Sequence, residues 1–537
     1  MKTKNIYKFY FFFGLLFILS ACTDDLNVTP KDDDEFLSEA FYAKPTSYKQ
    51  ALAGIYGNLS LTGTAGSGSS NLQGIDAGTS QYMRSLWYLQ DLAADEPIWS
   101  YENDEGGAVR EIQRNTWGPS NTILLGFFSR AMFSVALAND FLRQSSPEAL
   151  EARGHTAALS NDIAAYRAEA RLLRAMAYYH LMDLFGKAPF VTENDPIGTF
   201  QGPQYDRAQL FDFIESELTA IEGDLVAPKQ NEYARADKAV AWTILAKIYL
   251  NAKVYINVDK NTECITYSKK VIQSGFSLAS NYSLNFLADN DFNEAGMNEI
   301  IFATVSDGVV TQNYGATTVI INGEVGSKEG NAAALGAQGW GGALRVRKQF
   351  ANKFLGGAVP LTDKRNTILT AGRTIDIVDV GDRDSGFIIT KYKNVTSTGV
   401  AGPDPTFVDT DFPMFRLADV YLMYAECVLR GGGGNISTAL NLVNDIRARA
   451  YGGSGGNIDQ NALDLDFILD ERCRELLWEG HRRTDLVRFG RFSNTSYTWQ
   501  WKGGVKEGAS VSANYNVFPI PSADLGANPN LVQNPGY

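Results

Sequence analysis

The sequence predicts a mainly α protein. It is built of tetratricopeptide-like helix pairs, an α-α superhelix, with a large irregular, loop-rich insertion region that contains short strands. Three observations carry this. Long stretches repeat apolar residues every three or four positions, the period of one helix face. Two helical segments carry related patterns, Arg174-Ala175-x-x-Tyr178 and Leu245-Ala246-x-x-Tyr249, that lie 71 residues apart. That is close to two repeats of roughly 34 residues, although a non-repeating helical domain fits the same pattern. Between the helices, short β-prone runs are broken by Gly, Asn and Asp.

The N-terminus is a different matter. Lys2, Lys4 and Lys8 precede an apolar run from Phe9 to Ala21, 13 residues long. A spanning helix needs roughly 20 apolar residues, so the run reads as a secretory signal peptide over residues 1–21. Leu19-Ser20-Ala21-Cys22 resembles a bacterial lipobox, which places the lipid attachment at Cys22. Several acyl chains, at about 0.8 kcal/mol per buried CH₂, would hold a soluble domain at a membrane surface. Residues 22–36 form an acidic surface tether with Asp24, Asp25 and the run Asp32-Asp33-Asp34-Glu35. The rest, 37–537, is expected to be a single domain.

The chain has 537 residues, 45% of them hydrophobic, enough for a large core. Its net charge is -13, and losing residues 1–21 removes three lysines and no acid, taking it to about -16. Nucleic acid rewards clustered Lys and Arg, so this balance excludes it as a partner. No segment after the signal peptide reads as a membrane span. After Cys22 only Cys264, Cys427 and Cys473 remain, with no CxxC pair. That points to neither a disulfide framework nor a zinc site. No metal and no cofactor are expected.

In chain order, an irregular stretch near 60–118 comes first. Residues 162–186 then place Ala165, Ala168, Leu172, Ala175, Tyr179 and Met182 on one helix face, with Gly186 as the stop. Residues 236–255 repeat the idea with Ala241, Leu245, Ile248 and Ala252. The second irregular region, 277–415, holds the β-prone runs IIFATV, TTVIIN and FIITKY and a glycine-rich loop around Trp340. A further helix pair follows, split by glycines 431–434. The run from Glu471 to Asp485 alternates in charge and reads as an ion-pair network, not chemistry. Tyr497, Trp499 and Trp501 alternate as a strand-like packing face. The tail 517–537 has four prolines and reads as an extended, packed segment.

YRAEARLLRAMAYYHLMDLFGKAPFV, RLADVYLMYAECVLR, LNLVNDIRARA, ILDERCRELLWEGHRRTDLVRFG and NVFPIPSADLGANPNLVQNPGY resemble, in that order, the SusD/RagB family of Bacteroidetes outer-membrane nutrient-binding lipoproteins. The resemblance implies four tetratricopeptide-like helix pairs with a large irregular insertion. It implies lipid anchoring in the outer membrane facing the exterior, and a partner, a SusC-like TonB-dependent transporter. It also implies a glycan or oligosaccharide cargo, with peptide handled by some relatives.

A glycan site combines aromatic rings with planar polar groups on loops, because sugar C–H faces stack and hydroxyls need partners. Residues 94–107 have this composition, with Trp99, Tyr101 and Asn103 as candidates. The family's starch-binding members place an Asp and an Arg eight residues apart before this loop, which implies Asp76 and Arg84 here. Tyr314 and Trp340 match by region. Trp340, flanked by glycine, fits equally a plug that packs the insertion onto the helices. With three histidines and no HExxH, Ser-His-Asp order or phosphate loop, the chain is read as no enzyme. The expected function is non-catalytic cell-surface glycan binding and delivery to the transporter. A protein-binding lid or scaffold, with peptide or no direct cargo, is the alternative, and a surface glycosidase the third reading.

Overall fold

A computed structural model describes residues 38–198, 200–356, 362–493 and 495–537. The signal peptide, Cys22 and the acidic tether to residue 36 lie outside the described residues. The chain divides into two units at the boundary between Tyr48 and Lys49. In the first, Ser38–Tyr42 is a short helix.

The second unit is mainly helical. Its principal helices are α1 (Thr122–Gln144), α2 (Ala157–Phe185), α3 (Arg207–Ile221), α4 (Lys238–Leu250), α5 (Asn261–Ile272), α6 (Ala316–Glu324), α7 (Leu417–Leu429), α8 (Ile436–Tyr451) and α9 (Leu465–Glu475). Helices α1, α2 and α3 pack in sequence, and α4, α5, α7 and α8 do the same, as stacked antiparallel hairpins require. Local chemistry sets the ends. Asn121 Oδ1 accepts from the backbone N–H of Ile123 and Leu124 to start α1, and Asp206 with Gln209 forms a capping box on α3. Gly186 stops α2 at φ 69°, a left-handed turn that costs glycine least.

Every residue from Leu172 to Phe185 in α2 is buried, so this helix is a central post and not a one-faced surface helix. Helix α1 corrects the expectation that no later segment is long and apolar enough to cross a membrane: by length and a mean hydropathy of 1.4 it qualifies. Its apolar residues instead pack on α2, the usual fate of a core helix.

The strands are short and form four two-stranded antiparallel sheets: β1 (Pro97–Trp99) with β5 (Leu344–Val346), β2 (Lys187–Pro189) with β3 (Gln204–Asp206), β4 (Ile300–Thr304) with β8 (Phe412–Arg416), and β6 (Ile368–Leu369) with β7 (Ile388–Ile389). IIFATV therefore holds β4, and FIITKY keeps two strand residues. TTVIIN does not form a strand. It is the body of α6, whose nine residues are all buried, and tertiary burial overrides weak β-propensity there. Residues 497–501 are irregular too, and Trp499 and Trp501 do not share a strand face. Trp499 is buried against Phe492, while the Trp501 indole donates to the Ile377 carbonyl at 3.1 Å.

The charged run resolves into a buried network that ties distant segments together. Arg416 pairs with Glu299, Glu475 and Glu479, and Arg365 pairs with Asp363, Glu471 and Glu475. Arg482 pairs with Asp95 at 2.7 Å, and Arg472 bridges Asp419 and Asp485. His180, bonded to the Tyr82 hydroxyl at 2.8 Å, and His481, 3.2 Å from Lys247, are both buried and neutral. Burial, which disfavours the charged ring, brings them down to about 4 and about 3. In the tail, Phe518 and Ile520 are buried and Asn534 donates to the carbonyls of Phe185 and Phe518, while Ser522–Ala527 forms a short helix with no buried residue.

Candidate functional site

The candidate residues come from four chain segments, with Arg84 on the short helix Tyr82–Trp87 and Trp99 on β1. Strand β1 leaves the helical core at Pro97 and carries Trp99, whose backbone pairs with Leu344 of β5. The Trp99 ring is only 2% exposed. Gly323 permits this: a Cβ there would lie 2.9 Å from Trp99 Cζ3 and 2.7 Å from Leu344 Cβ. The Trp99 indole N–H donates to Asp104 at 3.3 Å. The expectation of an exposed Trp99 ring is thus corrected, because β1–β5 pairing turns the indole inward.

Two other rings stand on it. Tyr101 lies edge-on at 5.7 Å and Trp340 at 6.0 Å, the latter at 87°. Such T-shaped pairs contribute about 0.5–1.5 kcal/mol beyond their burial. Tyr101 is 39% exposed and Trp340 is half-buried, so these two rings reach solvent. Arg383 joins them. Its Nη1 donates to the Tyr101 hydroxyl at 3.0 Å and to the Trp340 carbonyl at 3.1 Å, and its guanidinium lies 5.5 Å from the Tyr101 ring centre. Gly341 leaves that path open, since a Cβ there would meet Arg383 Nη1 at 2.9 Å.

Asp76, Arg84 and Tyr314 form a second group around Gly78, whose Cβ would meet all three within 3.6 Å. Asp76 is exposed and accepts from the N–H and hydroxyl of Thr79. Arg84 is buried, donating from Nε to Tyr88 at 2.9 Å and from Nη1 to the Tyr314 carbonyl at 3.4 Å. The Tyr314 ring is half-buried and edge-on to Phe407. Asn103 is exposed, with its amide oxygen accepting from Arg110 at 2.9 Å.

The two groups meet through residues the sequence reading did not select. Asp104 holds Trp99, and Glu105 follows it with φ 53°, a strained conformation for a non-glycine residue. Partial burial, then the nearby Asp76 carboxylate, push the Glu105 carboxyl above its ordinary range, against the pull of Thr79 and Arg84. Asp95 and Glu96, which share the loop's polar composition, are buried in the network beside Arg482. Arg383 left no signal beyond the turn-rich segment 379–386. Among the described residues no group of three or more His, Cys, Asp or Glu is placed to hold a metal ion.

A tetratricopeptide-like superhelix whose inserted loops carry an aromatic cluster ringed by charged and amide groups defines the class: an α-superhelical protein with a loop-borne surface site. The SusD family model matches residues 361–537. The starch-binding protein SusD of Bacteroides thetaiotaomicron is 33% identical over the whole of both chains. SusD-like protein P25 of Formosa agariphila is 25% identical, again over 100% of each. Among solved structures, surface glycan-binding protein A of Bacteroides thetaiotaomicron in complex with laminarihexaose has the same fold at a TM-score of 0.68. It is 19% identical and covers 91% of this chain and 98% of its own. The chain belongs to the SusD family.

Proposed function

We propose that this protein captures glycan at the cell surface without catalysis and passes it to a SusC-like TonB-dependent transporter. One observation carries the reading: Tyr101 and Trp340 reach solvent side by side, braced by buried Trp99 and locked by Arg383, with planar polar groups beside them. Rings held this way stack on sugar C–H faces, and Asp76, Arg84, Asn103 and Glu105 supply partners for hydroxyls. Relatives named for starch and glycan binding support the same reading. Cys22 is the lipid attachment in this reading. It anchors the protein in the outer membrane facing outward, so that the loop site lies over the transporter.

The test is affinity electrophoresis and calorimetry on a panel of polysaccharides. Alanine at Trp340 lowers affinity for the bound glycan at least tenfold. Unchanged retention by both Tyr101→Ala and Trp340→Ala leaves the scaffold reading ahead. Release of reducing ends from labelled oligosaccharide establishes a glycosidase instead.

A further inference from the structure

One well-formed cavity lies away from the aromatic cluster. It has a volume of about 430 Å³ and lies beside α9, between Lys353, Ile458, Phe467 and Arg491. Small-molecule sites run from roughly 300 to 1,000 Å³, so its size suits a ligand of one or two sugar rings. It shares no lining residue with the aromatic cluster.

Its lining runs against the charge of the chain. In a protein of net charge -13, five cationic side chains face two carboxylates there. Lys353 pairs with Asp470, Arg491 with Asp466 at 2.7 Å, and Arg482 with Asp95 behind the wall. The remaining two, Arg447 and Arg474, are 6% and 5% exposed and share a single carboxylate, Glu471, which also serves Arg365. Burial opposes ionisation of Glu471, but Arg365, Arg474 and Arg447 outweigh it and hold the carboxyl well below its usual range.

One carboxylate cannot occupy three guanidinium forks. Arg447 donates from Nε to the Gly456 carbonyl and from Nη1 to Glu471, and Arg474 from Nε and Nη2 to Glu471. No hydrogen bond within the described residues uses Arg447 Nη2 or Arg474 Nη1, and the Arg447 guanidinium also lies 5.0 Å from the Tyr451 ring centre. Both residues line the cavity. Ile458, Phe467 and Leu469 give the cavity an apolar wall next to them.

We propose that this cavity is a second ligand site, which takes a carboxylated sugar of the uronic acid class. The spare guanidinium donors bind the planar carboxylate, for which arginine's fork is suited, and the apolar wall packs the C–H face of the ring. The site gives the protein an acidic-sugar preference that the aromatic cluster does not supply, and it stands whether or not that cluster binds glycan.

The test is calorimetric titration of the mature chain with D-glucuronate, D-glucose, acetate and inorganic sulfate, repeated at high salt. Glucuronate is expected to bind saturably, at least tenfold more tightly than the other three, and to weaken as salt rises. Ile458→Trp, which fills the cavity and leaves every ion pair in place, is expected to cut glucuronate affinity at least tenfold. Arg491→Gln, at the rim, reports if the Trp variant melts early, and is expected to lower affinity several-fold. Absence of saturable glucuronate binding by the unmodified chain overturns the proposal. So does equal binding of glucose, acetate or sulfate, or unchanged affinity in a folded Ile458→Trp.

Discussion

Glu475→Gln tests whether the buried ionic network holds the fold. The carboxyl accepts from Arg416 at 2.7 Å, from Arg365 at 3.1 Å and from Arg449, and its side chain has no exposed surface. Burial alone would raise its pKa. Arg449, Arg416 and Arg365 outweigh burial and bring it from 4.5 to about 2. A group depressed on folding adds stability that is fully present above its unfolded pKa and lost as pH falls through the folded one. At roughly 1.4 kcal/mol for each tenfold change in proton affinity, the contribution is about 3 kcal/mol at neutral pH. Glutamine keeps the shape but leaves three guanidinium groups facing a neutral amide. Breaking one side of a buried pair costs about 3–5 kcal/mol, in line with that value. Guanidinium chloride unfolding followed by tryptophan fluorescence measures it. The variant is expected to lose about 3 kcal/mol at pH 7, with the gap to the unmodified protein closing between about pH 4.5 and pH 2. A loss below about 1 kcal/mol, the value of an exposed pair, or a gap that stays constant across that window, refutes the reasoning.

Gly323→Ala should force Trp99 or Leu344 to move, costing about 1–3 kcal/mol in the melt and weakening glycan binding through Trp99 without touching ligand; a variant that melts and binds as the unmodified protein rules out the tight approach. Cys22→Ala should yield soluble or unprocessed protein in cell fractions; retention in the outer membrane after high-salt washing, with the transporter deleted, argues against the lipid anchor. Crosslinking of the co-purified transporter complex should place the loops near Tyr101 and Trp340 against the barrel. Crosslinks confined to helices in 206–275, with those loops facing solvent, discard the lid arrangement.

The helices were legible because their signals are local. Apolar spacing found α2, α4, α7 and α8, and Gly186 ended α2 where a glycine stop was expected. TTVIIN misled because periodicity and propensity say nothing about a segment buried on every side. The charged run was readable as structural, but its partners were not. Glu475 meets Arg416 and Arg365, 59 and 110 residues away in the chain. At the site, composition picked out the segments, and the family resemblance implied the Asp76–Arg84 pair. It could not reveal that Trp99 is turned inward, because that follows from pairing with β5 at Leu344. Arg383 was hidden for a similar reason. Its position depends on Arg345, buried below, donating to the carbonyls of Val380, Asp382 and Ser385.

These long-range contacts link the platform to the site. Arg482, from the charged run, grips Asp95, two residues before β1. Arg347, just past β5, donates to the carbonyls of Pro97 and Gln113 at 2.8 and 2.7 Å. Gln113 in turn accepts from the Trp99 backbone N–H at 2.9 Å and donates to the Trp99 carbonyl. The strand that carries the buried indole is therefore fixed at both edges by groups with almost no freedom to move. Tyr101 and Trp340 lean on that indole, and Arg383 ties them to each other. A surface site with exposed rings would ordinarily lose affinity to the ordering of its loops. Here that cost is met largely on folding, by buried arginines whose partners lie hundreds of residues away. Arg482, from the run that reads as an ion-pair network in the sequence, and Arg347 together hold β1 in place beneath the exposed rings.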